Sequence, residues 1–537
     1  LTLNLGLRWD YNGPPDEKYN RLNRGFNPTV ANPVSTQISA AMLAQYPNLR
    51  DLKGGLNFAG VDGQPRSPGN RDLNNWQPRV GAAYQIADKL VMRGGYGLYY
   101  LNPNNDYLQT VGFSTSTPIQ NSLDGGRTRI PNVLSNPLPS GINRPIGASK
   151  GALTYVGQNT SWFNAGFRTP YVHQFSFGFQ YQLHRTGKLD ISYVGSRTVG
   201  ANDSKAYNIP SLDFRKTCNL QEGGSPTYCD AALTNPFRDV PAFSGTGDYT
   251  STTLSRYRLA RPFPQFSGDM TRLGRNDRKI WHNGLQVNYN FRMSDNVTML
   301  TNYTLSKTIE RQGYLDAFTS TMQQGPIAYD RLHIFKFSTI YELPFGKNQR
   351  WGAAAKGAVQ KLISGWEFTT HYNDFSGEPM NLPSNVIILK DPKVERNWKV
   401  DQVRFWSPCV LRQYNDGSVR PQQYSLDKGC GTDPANYPWF QTASYAPRYT
   451  PYRTTKIRSA PAFFMDASLN KTTYIGERFR FQLGIEAFNV LNHTNFGYER
   501  GTTDPNNPNF GTLFLSQSSL TNNGYPRQVQ LRMKFYW

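Results

Sequence analysis

The sequence has no long apolar run, and charged residues are scarce. No apolar stretch reaches the roughly 18 residues that a membrane-spanning helix requires. Asp, Glu, Lys and Arg together make up 18% of the 537 residues, whereas aromatic residues make up 14%. A helical membrane protein is therefore excluded. A membrane β-barrel is not, because the apolar residues of a barrel strand alternate with polar ones.

Recognisable motifs of catalysis and metal binding are also missing. The six histidines are scattered, and neither His-Glu-x-x-His nor Gly-x-Ser-x-Gly occurs. The four cysteines show neither a Cys-x-x-Cys pair nor a Cys/His metal spacing. We therefore expect a protein that is not an enzyme and that uses no cofactor and no metal ion.

The net charge of +21 raises the question of a nucleic-acid partner. No basic helix and no nucleic-acid-binding module accompanies this charge, and many cations lie in alternating stretches or in segments rich in Pro and Gly. We expect no nucleic acid as a partner. Anionic lipopolysaccharide or an acidic ligand matches the charge better.

The last twelve residues carry a clear strand signal that runs to an aromatic final residue. A strand points alternate side chains to opposite faces, so one face of this segment is wholly apolar. The pattern favours a closing barrel strand with one face in lipid and one in a wet lumen; a C-terminal strand of a soluble sandwich is the alternative. We predict that the apolar positions form a membrane-insertion signal: Val529, Leu531, Met533, Phe535 and Trp537.

Similar alternation recurs along the chain, and the connections between the stretches are alternately short and long. Short turns at Asp88, Thr186, Asp295 and Gly476 fall on one side, and the long segments fall on the other. This asymmetry is typical of membrane barrels with periplasmic turns and extracellular loops, so we predict an all-β, antiparallel up-and-down transmembrane β-barrel with a periplasmic C-terminus.

A short helix is expected within 353–363. The predicted strands are 1–12, 78–87, 89–101, 172–183, 188–200, 279–293, 297–309, 331–343, 365–375, 463–473, 479–491 and 526–537.

The four cysteines lie in two loop-like segments, and each has a partner close by in the sequence. For an exported protein, the simplest pairing joins Cys218 to Cys229 and Cys409 to Cys430. We predict that both disulfides lie in extracellular loops.

Two groups of residues in the long segments are candidates for ligand binding. The first group is rich in arginine, and a guanidinium group binds phosphate or carboxylate in a bidentate manner. This group is either a binding site for such a ligand or part of a solvated loop at the barrel rim. The second group is aromatic. It either stacks on sugars or apolar ligands, or consists of loop residues that pack on one another. The first group is Arg256, Arg258, Arg261, Arg272 and Arg275, followed by Arg278 and Lys279; the second is Tyr437, Trp439, Phe440, Tyr445 and Tyr449, followed by Tyr452.

Polar residues opposite the apolar stripes form a third group of candidates. In a barrel they would face the lumen, where they line a passage, contact a plug, or neutralise one another along the wall. These residues are Asp10, Arg93, His282, Arg292, Glu486 and Arg532, with Asp190, Asp466 and Lys534 in the same kind of position.

Seven short segments, spread over nearly the whole chain, resemble one family of receptors. They are 3–11, 78–84, 93–100, 192–197, 302–307, 341–347 and 486–496, the last beginning Glu-Ala-Phe-Asn-Val-Leu-Asn-His. They are similar to the TonB-dependent outer-membrane receptors of the Oar-like kind, whose precursors carry a carboxypeptidase-regulatory-like domain. The resemblance implies the C-terminal portion of a barrel with about twenty-two strands. It also implies a plug and a TonB-contacting segment, which this sequence does not contain. No signal peptide is present either, so we expect the later part of a longer precursor.

The expected function is therefore that of an outer-membrane receptor in a diderm bacterium. Its loops would capture an unknown ligand, and the TonB system would drive passage through the lumen. Lipopolysaccharide and the barrel assembly machinery are the other expected partners. One alternative is a surface protein whose barrel anchors loops for adhesion or assembly, and another is a soluble secreted all-β binder that extracts without detergent.

Overall fold

Twelve long strands form one antiparallel sheet in which every strand pairs with the next one along the chain. The computed structural model describes residues 1–102, 108–117, 119, 127, 138, 141–294, 296–318, 321–347, 349–392, 403–404, 406–459, 461–476, 478–495, 503–513 and 526–537. The predicted turn residue Asp295 lies outside them. The strands are β1 (Thr2–Trp9), β2 (Trp76–Ala87), β3 (Leu90–Tyr100), β4 (Tyr171–His184), β5 (Gly187–Ala206), β6 (Thr271–Ser294), β7 (Val297–Tyr314), β8 (His333–Glu342), β9 (Trp366–Phe375), β10 (Ala462–Ile475), β11 (Phe479–Phe488) and β12 (Gln528–Tyr536).

The predicted fold class is confirmed, and each of these strands overlaps one of the stretches predicted from alternation. The main differences in extent are in β5, β6 and β7, which run beyond their predicted bounds to Ala206, back to Thr271 and on to Tyr314. The β5–β6 register shifts three times between Arg272 and Lys279. Each such irregularity breaks the period of two, so alternation did not reveal the strand continuing through it.

The connections divide between the two ends of the sheet. Tight turns join β2 to β3, β4 to β5, β6 to β7 and β10 to β11, and we call this side the turn end. The connection from β8 to β9 lies there too and contains helix Gly357–Ile363, where the sequence predicted one. The other side, the loop end, receives the long connections. β1 and β12 are the edge strands, and no ladder joins them within the described residues.

The register gives the sheet one apolar and one polar face. Leu5 on β1, Val80 on β2 and Tyr96 on β3 stand opposite one another, and they belong to the apolar face. Side chains there are largely exposed: Leu531 on the edge strand β12 is 81% exposed and Phe177 in the middle of the sheet is 48% exposed. Exposing so large an apolar surface to water would be unfavourable, whereas exposing it to lipid is favourable.

Aromatic residues border the apolar face at both ends. At the loop end Trp9 lies 6.3 Å from Trp76, and Tyr100 lies 5.6 Å from Tyr171, measured between ring centroids. Tyr181 marks the turn end of β4. From Tyr171 to Tyr181 a strand rises by about 33 Å, or about 25 Å along the axis of a barrel whose strands tilt by ~40°. That height matches the apolar band of an outer-membrane barrel.

The large hydrophobic clusters lie in the connections at the loop end, not in the sheet. The first loop core is drawn from residues 34–270 and includes Leu49, Phe237 and Phe266, all fully buried. The second loop core is drawn from residues 380–510 and centres on Trp406, Trp439 and Phe510, whose rings lie 5.2–5.5 Å apart.

Every described helix is short, and none is long and apolar enough to cross a membrane. The helices are Ala40–Gln45, Leu212–Lys216, Pro226–Asp230, Gly247–Thr250, Arg256–Leu259, Gly357–Ile363 and Gln423–Asp427.

Short strands accompany these loop structures. Ser161–Phe163 adds in parallel to β6, and Met322–Pro326 adds to β7. The remaining short strands are Asn23–Ala31, Lys53–Phe58, Ala232–Thr234, Thr253–Ser255, Val386–Ile388, Val403–Arg404, Val410–Gln413, Val419–Pro421, Trp439–Gln441 and Thr512–Leu513.

Both predicted disulfides are confirmed. Cys218 pairs with Cys229, and Cys409 pairs with Cys430, over sequence separations of 11 and 21. In the chain-entropy treatment, closing a loop of either size stabilises the folded state by about 3 kcal/mol. The first disulfide lies in the connection from β5 to β6, and the second in the connection from β9 to β10.

Candidate functional site

A polar cavity of about 840 Å³ lies at the loop end. Its walls come from the ends of β5 and β7 and from two stretches of the β9–β10 connection, 412–415 and 441–448. Cavities of this volume accommodate ligands of drug size. The charged and aromatic side chains that line it are Asp203, Lys205, Tyr314, Asp316, Arg412, Tyr414, Tyr445, Arg448 and Tyr452.

Cations lie over aromatic rings in the cavity wall. The Lys205 ammonium is 4.4 Å from the Tyr314 ring centroid. Tyr414 also lines the cavity, and the guanidinium groups of Arg412 and Arg420 lie 4.8 and 4.5 Å from its ring centroid. Within the described residues, neither of these two arginines is in an ion pair with a carboxylate. Their charge is therefore available to an anionic group that enters beside Tyr414.

The hairpin that carries Arg412 and Arg420 has a local sequence signal, although these two arginines do not belong to either predicted cluster. Arg412 and Arg420 stand directly opposite each other across the strands Val410–Gln413 and Val419–Pro421. The turn between them contains Asp416 and Gly417, and Gly417 has a φ of +87°. Asp-Gly between two short alternating stretches is a hairpin signal, and it would have placed the two arginines together.

Arg448 stabilises the cavity wall, and its guanidinium group is not free to bind a charged ligand. Its guanidinium donates to the backbone carbonyls of Leu382 and Thr450, each at 2.8 Å, and stacks 4.1 Å from the Tyr452 ring centroid. Burial lowers the pKa of Arg448. With its donors directed to carbonyl groups, this arginine holds the chain in place around the cavity.

The two disulfide-bonded loops touch each other beside the cavity. Gln221, inside the first disulfide loop, donates to Gln413 of the second at 2.5 Å. Tyr445 donates to the carboxylate of Asp230, and its ring lies 4.9 Å from that of Tyr257. Burial, and then the bond to Asp230, raises the pKa of Tyr445, so this hydroxyl stays protonated and remains a donor. We call these contacts the loop clasp.

The first three predicted arginines stabilise the first loop core internally. Arg258 is buried, bonds Asp248 at 2.8 Å and donates to the Pro264 carbonyl; burial lowers its pKa to about 10, which leaves it charged at neutral pH. Arg261 bonds Asp269 at 2.6 Å, and Arg256 stacks 4.0 Å from the Tyr228 ring centroid. These guanidinium groups therefore have partners inside the protein.

The other two lie on β6. Arg275 bonds Asp277 at 2.6 Å and lies 5.2 Å from the Tyr314 ring centroid, close to the cavity. Arg272 stands opposite Lys205 and Trp162 in the ladders.

The predicted aromatic group does not come together as one surface. Tyr437 and Trp439 are buried, Phe440 packs against Tyr437, and Tyr449 is 42% exposed. Of the six predicted aromatic residues, Tyr445 and Tyr452 line the cavity.

The predicted lumen residues do share one face. The register places Arg93, His282, Arg292, Glu486 and Arg532 on the polar face, and Asp10 follows Arg8 of the same face. They form separate groups along the sheet. Glu486 bonds Arg532 at 2.9 Å, Asp10 bonds Arg8 at 2.7 Å, and His282 lies 2.8 Å from the hydroxyl of Thr308.

His282 also borders a depression of about 640 Å³ on the polar face. Its floor contains Gly6, Gly81, Gly95 and Gly97, where the absence of side chains lowers the surface. Within the described residues, no group of His, Cys, Asp and Glu is arranged to hold a metal ion.

The chain belongs to the outer membrane beta-barrel domain family, which matches residues 1–530. It is accordingly an outer-membrane protein, and its apolar face is the surface that meets lipid. No curated protein matches the sequence.

Several solved structures align with most of this chain. They include the outer membrane transporter YddB from Escherichia coli, with 10% identity and a TM-score of 0.39 over 87% of this chain and 41% of that one. The FrpB iron transporter from Neisseria meningitidis has 11% identity and a TM-score of 0.36, over 88% and 40%. The ferripyoverdine receptor of Pseudomonas aeruginosa has 8% identity and a TM-score of 0.35, over 90% and 35%. The chain spans less than half the length of each.

Proposed function

We propose that this chain is the barrel region of an outer-membrane receptor that captures a ligand in the loop-end cavity. The observation that supports it is that Arg412 and Tyr414 line a cavity of about 840 Å³, and that the guanidinium groups of Arg412 and Arg420 both lie over the Tyr414 ring. Loops held on a rigid scaffold carry specificity in many binding proteins, and here two disulfides and two hydrophobic cores hold them. The cavity is suited to an anionic ligand that also has polar groups.

Passage of the ligand through the lumen in a TonB-dependent manner is the second part of the proposal. The polar face provides a wall for this passage, and Glu486 and Arg532 form an ion pair on it at 2.9 Å. The motif resemblance to Oar-like receptors supports this part, and it implies a plug and a TonB-contacting segment in a longer protein. Further strands would then pair with the edges β1 and β12, because an unpaired strand edge is costly in lipid.

Capture is tested with carboxylated, phosphorylated and neutral oligosaccharides on cells that display the protein. The double variant Arg412→Gln/Arg420→Gln should weaken binding of the acidic probes by about 10–100-fold, since a hydrogen bond to a charged group contributes about 1.5–3 kcal/mol. A matched control is Arg50→Gln/Lys150→Gln, which removes two exposed cations elsewhere in the loops. Equal binding by parent and double variant, with equal surface display, would refute the proposed site.

Transport is tested separately in cells with and without TonB. A receptor should bind in both and accumulate the probe only with TonB. Binding without any TonB-dependent accumulation would instead support a surface protein whose barrel anchors its loops.

A further inference from the structure

Fixed charges are rare on the apolar face of the sheet, and four of them cluster. In the regular parts of the strands, charged residues occupy six apolar-face positions: Arg197, Lys279, Lys307, Arg311, Asp374 and Lys471. The first four are cations on the adjacent strands β5, β6 and β7. We call them the cation patch.

The patch surrounds the indole of Trp281. Arg197 stands directly opposite Trp281 on one neighbouring strand, and Lys279 precedes Trp281 by one same-face position. Lys279 is itself directly opposite Arg311, and Lys307 lies two same-face positions from Arg311 on β7. Neighbouring strands are about 4.8 Å apart and same-face residues about 6.6 Å, so the four side chains lie within reach of one ligand.

The charge of the patch is not compensated by the protein. Like charges directly opposite each other, as at Lys279 and Arg311, destabilise a sheet. Glu310 is adjacent to Arg311 in sequence but points to the polar face, where Arg278 and Arg453 bind it. Within the described residues, no carboxylate forms an ion pair with any member of the patch.

One member of the patch, Arg197, is also held in position. Arg197 donates to the amide oxygen of Asn283 at 2.9 Å, and the Tyr193 hydroxyl donates to the same oxygen at 2.7 Å. A preorganised cation favours binding of an anion.

The location restricts which anion this is. The patch lies at the loop end, in the same rows as Tyr171 and the other aromatic residues that border the lipid-facing band. In outer-membrane barrels the long loops are extracellular, so the patch meets the outer leaflet. The cation found at the turn end, Lys471, donates to the Ser364 carbonyl and lies over the Trp366 ring. The asymmetry favours the lipid of one leaflet.

We propose that the cation patch binds the phosphate groups of lipopolysaccharide in the outer leaflet. The sugar–phosphate region of one molecule would lie across β5, β6 and β7, and its acyl chains would pack along the apolar stripe below Trp281. This site is distinct from the arginines Arg256, Arg258 and Arg261, whose partners are internal.

The test measures binding of rough lipopolysaccharide to the purified full chain in neutral detergent. The double variant Lys279→Gln/Arg311→Gln should bind at least tenfold more weakly. The control Lys356→Gln/Lys361→Gln removes two exposed cations at the turn end and should bind as the parent does. Heat-modifiable migration on gels verifies that each variant is folded.

Two further arms keep the test decisive if the double variant misfolds. The charge-conserving variant Lys279→Arg/Arg311→Lys should retain binding, and parent protein should lose at least tenfold in affinity for lipopolysaccharide whose phosphates have been removed. Unchanged affinity for the dephosphorylated probe would overturn the proposal. So would equal affinity for phosphatidylglycerol, because the patch would then recognise any anionic lipid.

Discussion

Replacing Glu310 by Gln should release the second loop core from the sheet. Glu310 is 3% exposed, and its two oxygens accept from Arg453 at 2.5 Å and from Arg278 at 2.6 Å. Removing one partner of a buried ion pair costs about 3–5 kcal/mol, because the other charge remains buried without compensation. The side chain of Arg278 is 28% exposed and partly screened by water, so we expect the lower end, about 3 kcal/mol.

The cost should appear in the loops and not in the barrel. Arg453 belongs to the segment that leads from the second loop core into β10, and it also donates to Asn381 at 2.8 Å. A loss of about 3 kcal/mol raises the population of a detached loop core by about 100-fold. Chymotryptic cleavage within 406–452 should accelerate by that factor in detergent, while heat-modifiable migration stays unchanged.

Two controls define the result. Asp51→Asn breaks an exposed pair with Lys53, and should change the cleavage rate little, since exposed pairs contribute about 0–1 kcal/mol. Arg453→Met leaves Glu310 paired with Arg278 and should have a smaller effect than Glu310→Gln. If Glu310→Gln is cleaved at the parental rate, the ion pair does not hold the loop core, and the reasoning from burial fails.

Two other predictions concern the loop disulfide and the C-terminus. Replacing Cys409 and Cys430 by Ser should destabilise the second loop core by about 3 kcal/mol and speed its proteolysis, and an unchanged rate would contradict this. Phe535→Asp with Trp537→Asp should abolish outer-membrane assembly, whereas Lys534→Asp on the polar face should not; a normal yield of heat-modifiable barrel would argue against an insertion signal. Because the direct cost of an acid in lipid is less than about 2–4 kcal/mol, the main effect should be on recognition by the assembly machinery.

The sheet could be predicted because its signal is local. Alternation in the last strand assigns Leu531 and Arg532 to opposite faces whatever lies around them, and the same rule assigned Arg93 and Glu486 to the polar face. The disulfides followed from short spacing for the same reason. The extension of β6 back to Thr271 was missed, because bulges interrupt the period there.

The site could not be predicted, because it depends on partners that are distant in the chain. The sequence near Trp439 does not predict that Trp406 and Phe510 will pack against it. The sequence near Arg412 does not predict that Lys205 will line the same cavity. An arginine-rich segment has the same sequence pattern whether its guanidinium groups face a ligand or, as with Arg258, a buried carboxylate.

The sequence by itself determined which residues alternate in strands, which side of the sheet each strand residue occupies, and which cysteines pair, since each of these depends on neighbours within one strand or one loop. Tertiary structure alone decided which charges stay uncompensated. Lys279 and Arg311 lie far apart in the chain, and they meet because the β6–β7 ladder aligns them. Charge balance is set by contacts across the fold, and it therefore appears only when the strands and loops are assembled.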